Sequence, residues 1–169
     1  GNVIGGGGWA RDRIVVDCIK CWGEGKPVVL RNPSATRPWQ HVLDCLSGYL
    51  LLGSKAGAAP ERYRGEGFNF GPSHGHGATV LELVSELSRH WKGSRWDVAA
   101  DASTQPHEAK FLRLNCDKAS QGLGWRPTWE MPEAARATAE WYSHFYRAGA
   151  GAELAALTRS QIAAHDGRH

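Results

Sequence analysis

Residues 1–15 read GNVIGGGGWARDRIV: a short apolar run, four glycines, a tryptophan, then alternating charges. The reading of this stretch decides the fold. Gly5, Gly7 and Ala10 satisfy G-x-G-x-x-G/A, and Glu24 follows at about the distance a dinucleotide fingerprint asks of its acidic residue. Such a fingerprint works because its glycines lie between a strand and a helix whose amino end faces the pyrophosphate. Its acidic residue then ends the second strand and meets the ribose. Here the phase is wrong, because Glu24 comes before the next strand-like run, Val28–Leu30, and not after it. Trp9 and Arg11 also crowd the turn where backbone would have to approach a ligand. The glycines therefore read as another kind of loop. They permit positive φ and leave N–H groups open, which suits a mobile cover over a ligand held elsewhere, or a flexible loop with no ligand.

Outward from this stretch, period and punctuation place the other elements. DRIVVDCIKCW carries Ile14, Cys18, Cys21 and Trp22 at helical spacing and ends at GEGKP. PVVL is a strand, apolar on both faces and so expected to be buried. RNPSATRP is a loop. HVLDCLSGYLLLGSKAG puts Val42, Leu46, Tyr49 and Leu50 on one stripe of a helix closed by Gly57, and FNFGP reads as a short strand running into a turn. Thr79 with Glu82 makes a capping box, followed by Val80, Val84, Leu87 and Trp91 at helical spacing. RWDVAA and KFLRLN are strand-like, and DKASQGLGW is a helical turn stopped by glycine. MPEAARATAEWYSHFYR, with Pro132 in its first turn, lines up Ala134, Thr138, Trp141 and Phe145. The tail, AELAALTRSQIAAH, is helix-prone with a weak apolar face and is expected to pack loosely. KAGAAPERYRGEG and RAGAGAE read as surface loops, and no internal repeat is present.

The 169 residues suffice for one domain with a core, or for part of a larger one. With 41% hydrophobic and 22% charged residues the composition is that of a soluble globular protein. The longest apolar run, LSGYLLLG, is far short of the ~20 residues a membrane span needs. The opening at Gly1, without Met or leader, reads as the middle of a longer protein. Net charge is +3, with 14 Arg against 6 Lys, a bias that suits phosphate recognition or only reflects codon usage. No basic block with interleaved aromatics points to nucleic acid.

Cys18, Cys21, Cys45 and Cys116 form no disulfide framework in a chain of this size, which makes the cytoplasm the default location. Cys18 and Cys21 form a lone C-x-x-C inside a helix, read as two buried thiols, with a redox or zinc role as the alternative. His74 and His76 in SHGHG form H-x-H without a third ligand, so no metal is expected. Trp39, Trp91, Trp125 and Trp141 are expected in packing.

Read in order, GNVIGGGGWARDRIV, LRNPSATRPWQHVLDCLSGYLLL, FNFGP, QPHEAKFLRLNCDKA and LGWRP resemble the C-terminal half of the CDP-glucose 4,6-dehydratases. These form a nucleotide-sugar branch of the extended short-chain dehydrogenase/reductase family. The likeness runs from Gly1 to about Ile162. NPSATRPWQHVL is specific to the branch, while LGWRP and FNFG are shared with nucleotide-sugar epimerases.

The resemblance implies an α/β fold: a small mixed lobe plus remnants of a Rossmann sheet, without the N-terminal Rossmann half. Residues 1–169 would then be one incomplete nucleotide-sugar-binding domain. It also implies roles. Asn2 donates its amide toward the sugar or diphosphate, or else caps a turn. Arg13 and Ile14 lie along the nucleotide. Val28 and Leu30 border the base, where backbone groups read its edge. Arg37 clamps phosphate, with a surface ion pair as the alternative. His107 and Glu108 lie near the ribose and phosphates, or close a loop hydrogen bond. The family usually has Asp at Gly8 and Pro at Val16.

The implied activity is a lyase reaction of deoxysugar and lipopolysaccharide O-antigen biosynthesis. It uses NAD, oxidation at C4 of the hexose, loss of water across C5–C6 and return of hydride to C6. The implied partners are a CDP-sugar and further copies of the full-length enzyme, with neither nucleic acid nor membrane. The sequence contains no Tyr with Lys four residues later: Tyr49, Tyr63, Tyr142 and Tyr146 meet Gly53, Gly67, Tyr146 and Ala150. No adjacent Asp-Glu pair occurs either. Catalytic residues and the NAD loop are thus expected upstream of Gly1, leaving this chain inactive alone. A related epimerase or reductase, and a non-catalytic binding module, are the competing readings.

Overall fold

A computed structural model describes residues 2–73, 77–99 and 111–167. Strand β1 (Asn2–Ile4) leads through the glycines to α1 (Ile14–Gly23), which buries Val15, Val16, Cys18, Ile19 and Trp22. Asp12, in the turn before α1, is the one described non-glycine residue with positive φ, at 58°. Aspartate tolerates this left-handed geometry better than most residues. Next come β2 (Val28–Leu30), β3 (Thr36–Arg37) and β4 (Trp39–His41). Helix α2 (Val42–Ala58) starts directly where β4 ends, and a single turn, α3 (Pro60–Tyr63), follows with proline at its first position.

Strand β5 (Ala78–Thr79) runs into α4 (Val80–Arg89), and β6 (Trp96–Val98) lies beyond it. Helices α5 (Asp117–Leu123), α6 (Met131–Ala148) and α7 (Ala152–Asp166) complete the described chain. The strands pair in three twos: β1 with β4 and β2 with β6, both parallel, and β3 with β5, antiparallel.

The main core packs β1, β2 and β4 against α1, α4 and α6. Ile19, Leu30, Leu83, Leu87 and Tyr142 are buried at its centre. Thr79 caps α4 through the Glu82 amide while the Glu82 carboxylate takes the Thr79 N–H at 2.6 Å, the expected capping box. A second core forms around Phe70, Ala119, Leu123 and Trp125, the rings of Phe70 and Trp125 meeting edge to face at 5.0 Å. Gly48 is required there, since a Cβ would lie 2.4 Å from the Phe70 ring. Gly124, at φ 75°, ends α5 as the sequence suggests.

Several expectations are corrected. The stretch RNPSATRP contains β3 and is not only a loop, because Thr36 and Arg37 find partners in Thr79 and Ala78. FNFGP forms no strand, since Phe68 and Phe70 serve as core rings and not as ladder residues. Residues 111–115 of KFLRLN contribute only an isolated bridge from Phe111 to Thr36. KAGAAPERYRGEG is not wholly loop, because it contains α3. In β2 the middle residue, Val29, is 54% exposed, so one face of this strand is open. The stripe of α2 is turned outward: Leu46, Tyr49 and Leu50 are exposed, while Asp44, Cys45 and Gly48 are buried. The tail packs as α7, held by polar contacts as much as by apolar ones.

Candidate functional site

In open parallel sheets ligands bind beyond the carboxyl ends of the strands. Here β1 and β4 end side by side, with Ile4 opposite His41, and the glycines leave from this edge. Asn2 lies opposite Trp39, and its N–H donates to the Pro38 carbonyl at 2.9 Å. The backbone of Asn2 is therefore one residue from Arg37. Arg37 is 7% exposed, not a surface group, and its Nη1 donates to the Thr36 carbonyl at 2.9 Å. Trp39 locks the neighbouring strand by donating from its indole to the Ala78 carbonyl at 2.9 Å. The fold thus brings Asn2 and the Arg37 segment together.

The other expected residues are placed differently. Arg13 is exposed at the amino end of α1, and Ile14 is half-buried behind it. Val28 and Leu30 are buried on β2, which pairs with β6 and belongs to a different strand pair from Asn2. His107 and Glu108 lie outside the described residues, as do His74 and His76. Cavities of about 750 and 680 Å³ flank the Trp125–Pro127 segment, and neither is lined by Asn2 or Arg37.

The glycine loop is tied down rather than open. A Cβ on Gly6 would fall 2.1 Å from the Trp141 ring, and Tyr142 Oη donates to the Gly8 carbonyl. Trp9 sits among Tyr142 and Phe145 at 5.2 Å and Tyr146 at 6.4 Å. Side chains of α6 thus pack against this loop. Gly8 itself has room, because a Cβ there would meet only the Tyr142 hydroxyl at 3.7 Å.

Cys18 and Cys21 are free, and burial pushes the Cys18 thiol well above the ordinary range, which keeps it protonated and unreactive. Among the described residues no group of three or more His, Cys, Asp or Glu side chains could hold a metal. No described helix is long and apolar enough to cross a membrane.

One polar cluster escaped the sequence reading. His41, Asp44 and His165 are 2%, 0% and 1% exposed, and His165 Nε2 lies 3.0 Å from Asp44 Oδ1. Thr128 N–H donates to the same oxygen at 2.6 Å. His41 Nδ1 accepts from the Leu43 amide at 3.3 Å and so caps α2. Burial, and second the charge His165 can carry, push the His41 imidazole down to about 4. The available signal was His41 and Asp44 three residues apart at a helix start. Nothing local pointed to His165, 121 residues further on.

The chain is 38% identical over 147 residues to CDP-glucose 4,6-dehydratase from Salmonella typhimurium, covering 87% of this chain and 40% of that protein. It is 27% identical over 120 residues to dTDP-glucose 4,6-dehydratase from Escherichia coli, covering 70% of this chain and 33% of that one. In three dimensions it resembles UDP-glucuronic acid 4-epimerase from Bacillus cereus, solved with UDP-glucuronic acid and NAD. That match has a TM-score of 0.68 and 23% identity, over 86% of this chain and 44% of the other. No protein-family profile matches. The chain is similar in sequence to nucleotide-sugar dehydratases, and its fold is that of the extended short-chain dehydrogenase/reductases. It spans about 40% of the length of the Salmonella dehydratase. The Bacillus epimerase holds NAD.

Proposed function

We propose that this chain forms the substrate side of a CDP-glucose 4,6-dehydratase, the enzyme that converts CDP-glucose to CDP-4-keto-6-deoxyglucose. The observation that carries the reading is Arg37, a buried guanidinium on the strand entering β4, beside the backbone of Asn2. Guanidinium presents paired donors to anionic oxygens, which suits a diphosphate. Asn2 is assigned to the sugar or diphosphate, and Arg13 and Ile14 to the flank of the nucleotide. Val28 and Leu30 border the base. Their side chains are buried, so readout there falls to the backbone edge of β2 that faces away from β6. His107 and Glu108 are assigned to the ribose and phosphates.

NAD belongs to the complete enzyme in this reading. The glycines of this chain are out of phase with its fingerprint, so no hydride step is assigned to these residues, and the chain by itself is expected not to turn over substrate. The complete enzyme is read as a cytoplasmic homo-oligomer. The likeness to an epimerase structure favours a second reading, a related nucleotide-sugar epimerase, while the branch-specific residues 32–43 favour the first.

Calorimetry with CDP-glucose, CDP and UDP-glucose tests the assignment. CDP-glucose is expected to bind, and Arg37→Ala to weaken it about 10–100-fold, the loss expected for a charged hydrogen-bond pair. Equal affinity for the cytidine and uridine sugars would remove the cytidine assignment. Unchanged affinity in Arg37→Ala would remove the phosphate clamp.

A further inference from the structure

Helix α7 has few apolar anchors, since only Leu154 and His165 of its described residues are buried. It is pinned instead by polar contacts on two elements, α6 and α2. Trp141 Nε1 donates to Thr158 Oγ1 at 3.0 Å, and Gln161 Nε2 to the Ala137 carbonyl at 2.9 Å. The third contact, His165 to Asp44, differs in setting because both side chains are enclosed. Asp44 Oδ2 has no hydrogen-bond partner among the described residues. A helix that only covered apolar surface would be served better by leucine at such a position, because desolvating a carboxylate is costly.

The geometry shows what the contact holds. Asp44 sits in the first turn of α2, and no loop residue separates α2 from β4. A movement of that turn is therefore passed to β4 and to Arg37, which lies just before it. Trp129 fills the space between, with its ring centroid 4.7 Å from His41 and 5.3 Å from His165. Thr128 holds the same carboxylate, so the entry to α6, the start of α2 and the end of α7 converge on one oxygen.

We infer that α7 is a clasp. His165, acting through Asp44, is a positioning residue that holds the β4–α2 junction, and with it the Arg37 segment, in the arrangement the ligand meets. This rests on the reading of Arg37 as an anion site.

Hydrogen exchange on the whole chain, with calorimetry against CDP-glucose, tests it in the wild type, His165→Ala, His165→Gln and Asp44→Asn. In His165→Ala the amides of residues 42–45 and 152–166 are expected to exchange at least about tenfold faster, while those of α4 keep their rates. CDP-glucose affinity falls about tenfold alongside. His165→Gln, which keeps a donor facing Asp44, restores most of both. If residues 42–45 stay protected, or α4 loosens equally, α7 is only a covering helix and the clasp is refuted. If protection changes but affinity does not, the positioning role is refuted. If the wild type binds no CDP-glucose while the exchange pattern holds, the anion-site reading fails and the clasp stands. Should His165→Ala not fold, His165→Leu, which fills the space but offers Asp44 no donor, reads the same pattern; Asp44→Asn keeps the oxygen that meets both Thr128 and His165 and is expected to stay close to the wild type.

Discussion

Helices α4 and α2 each carry an apolar stripe, yet one stripe is buried and the other faces outward. In α4, Leu83, Val84 and Leu87 are fully enclosed against α6 and the strands. In α2, Leu46, Tyr49 and Leu50 are 46%, 58% and 76% exposed, while Asp44 and Gly48 point inward. A stripe marks a face that favours leaving water; it does not name what covers it. For α4 the cover lies within this chain. For α2 the described residues supply none, and its inner face is chosen by other needs: Gly48 admits the Phe70 ring, and Asp44 receives Thr128 and His165.

Truncation inside the covered stripe should break this contrast most sharply. Leu87→Ala is expected to cost about 3 kcal/mol in denaturant unfolding, through lost burial and the cavity left behind. A loss under about 1 kcal/mol would mean that α4 is not held as described.

Acid comes next and reads the inner face of α2. His41 is held near 4 against an ordinary 6.5. The unfolded chain therefore takes up a proton, as pH falls below about 6.5, that the folded chain refuses. Stability should be flat with respect to this group above that pH and fall by about 3 kcal/mol on the way down to pH 4. Thermal unfolding of His41→Asn, which keeps a capping acceptor but takes no proton, should lose much of this slope; an identical slope would place its origin elsewhere.

Smaller effects sharpen the picture. Thr79→Ala removes the cap of α4 and should lower stability by about 1 kcal/mol in the same unfolding assay. Leu50→Ser, on the outward stripe of α2, should change the stability of this chain by less than about 0.5 kcal/mol. A large loss in Leu50→Ser would show that the stripe is covered after all, for instance by self-association at the assay concentration.

Much of the fold was legible because its signals are local. The capping box at Thr79, the stop at Gly124, the extent of α6 and the wrong phase of Glu24 all follow from spacing within one or two turns. Of the candidate site, NPSATRPWQHVL pointed to the Arg37 segment, and the structure joins that segment to Asn2 through the Pro38 carbonyl. The two-residue strand β3 escaped because the ladder partner of Thr36 is 43 positions away in sequence, at Thr79. FNFGP misled because its aromatic residues suit a strand and a core equally.

By itself the sequence determined the longer helices, the cap at Thr79, the stop at Gly124 and the likeness to nucleotide-sugar dehydratases. These depend on residues close along the chain or on direct similarity. Only the tertiary structure decided which face of α2 turns inward, that Trp9 and Tyr142 fasten the glycines to α6, and that His165 reaches Asp44. Those outcomes depend on which distant surfaces compete for the same space, and no local pattern encodes the winner.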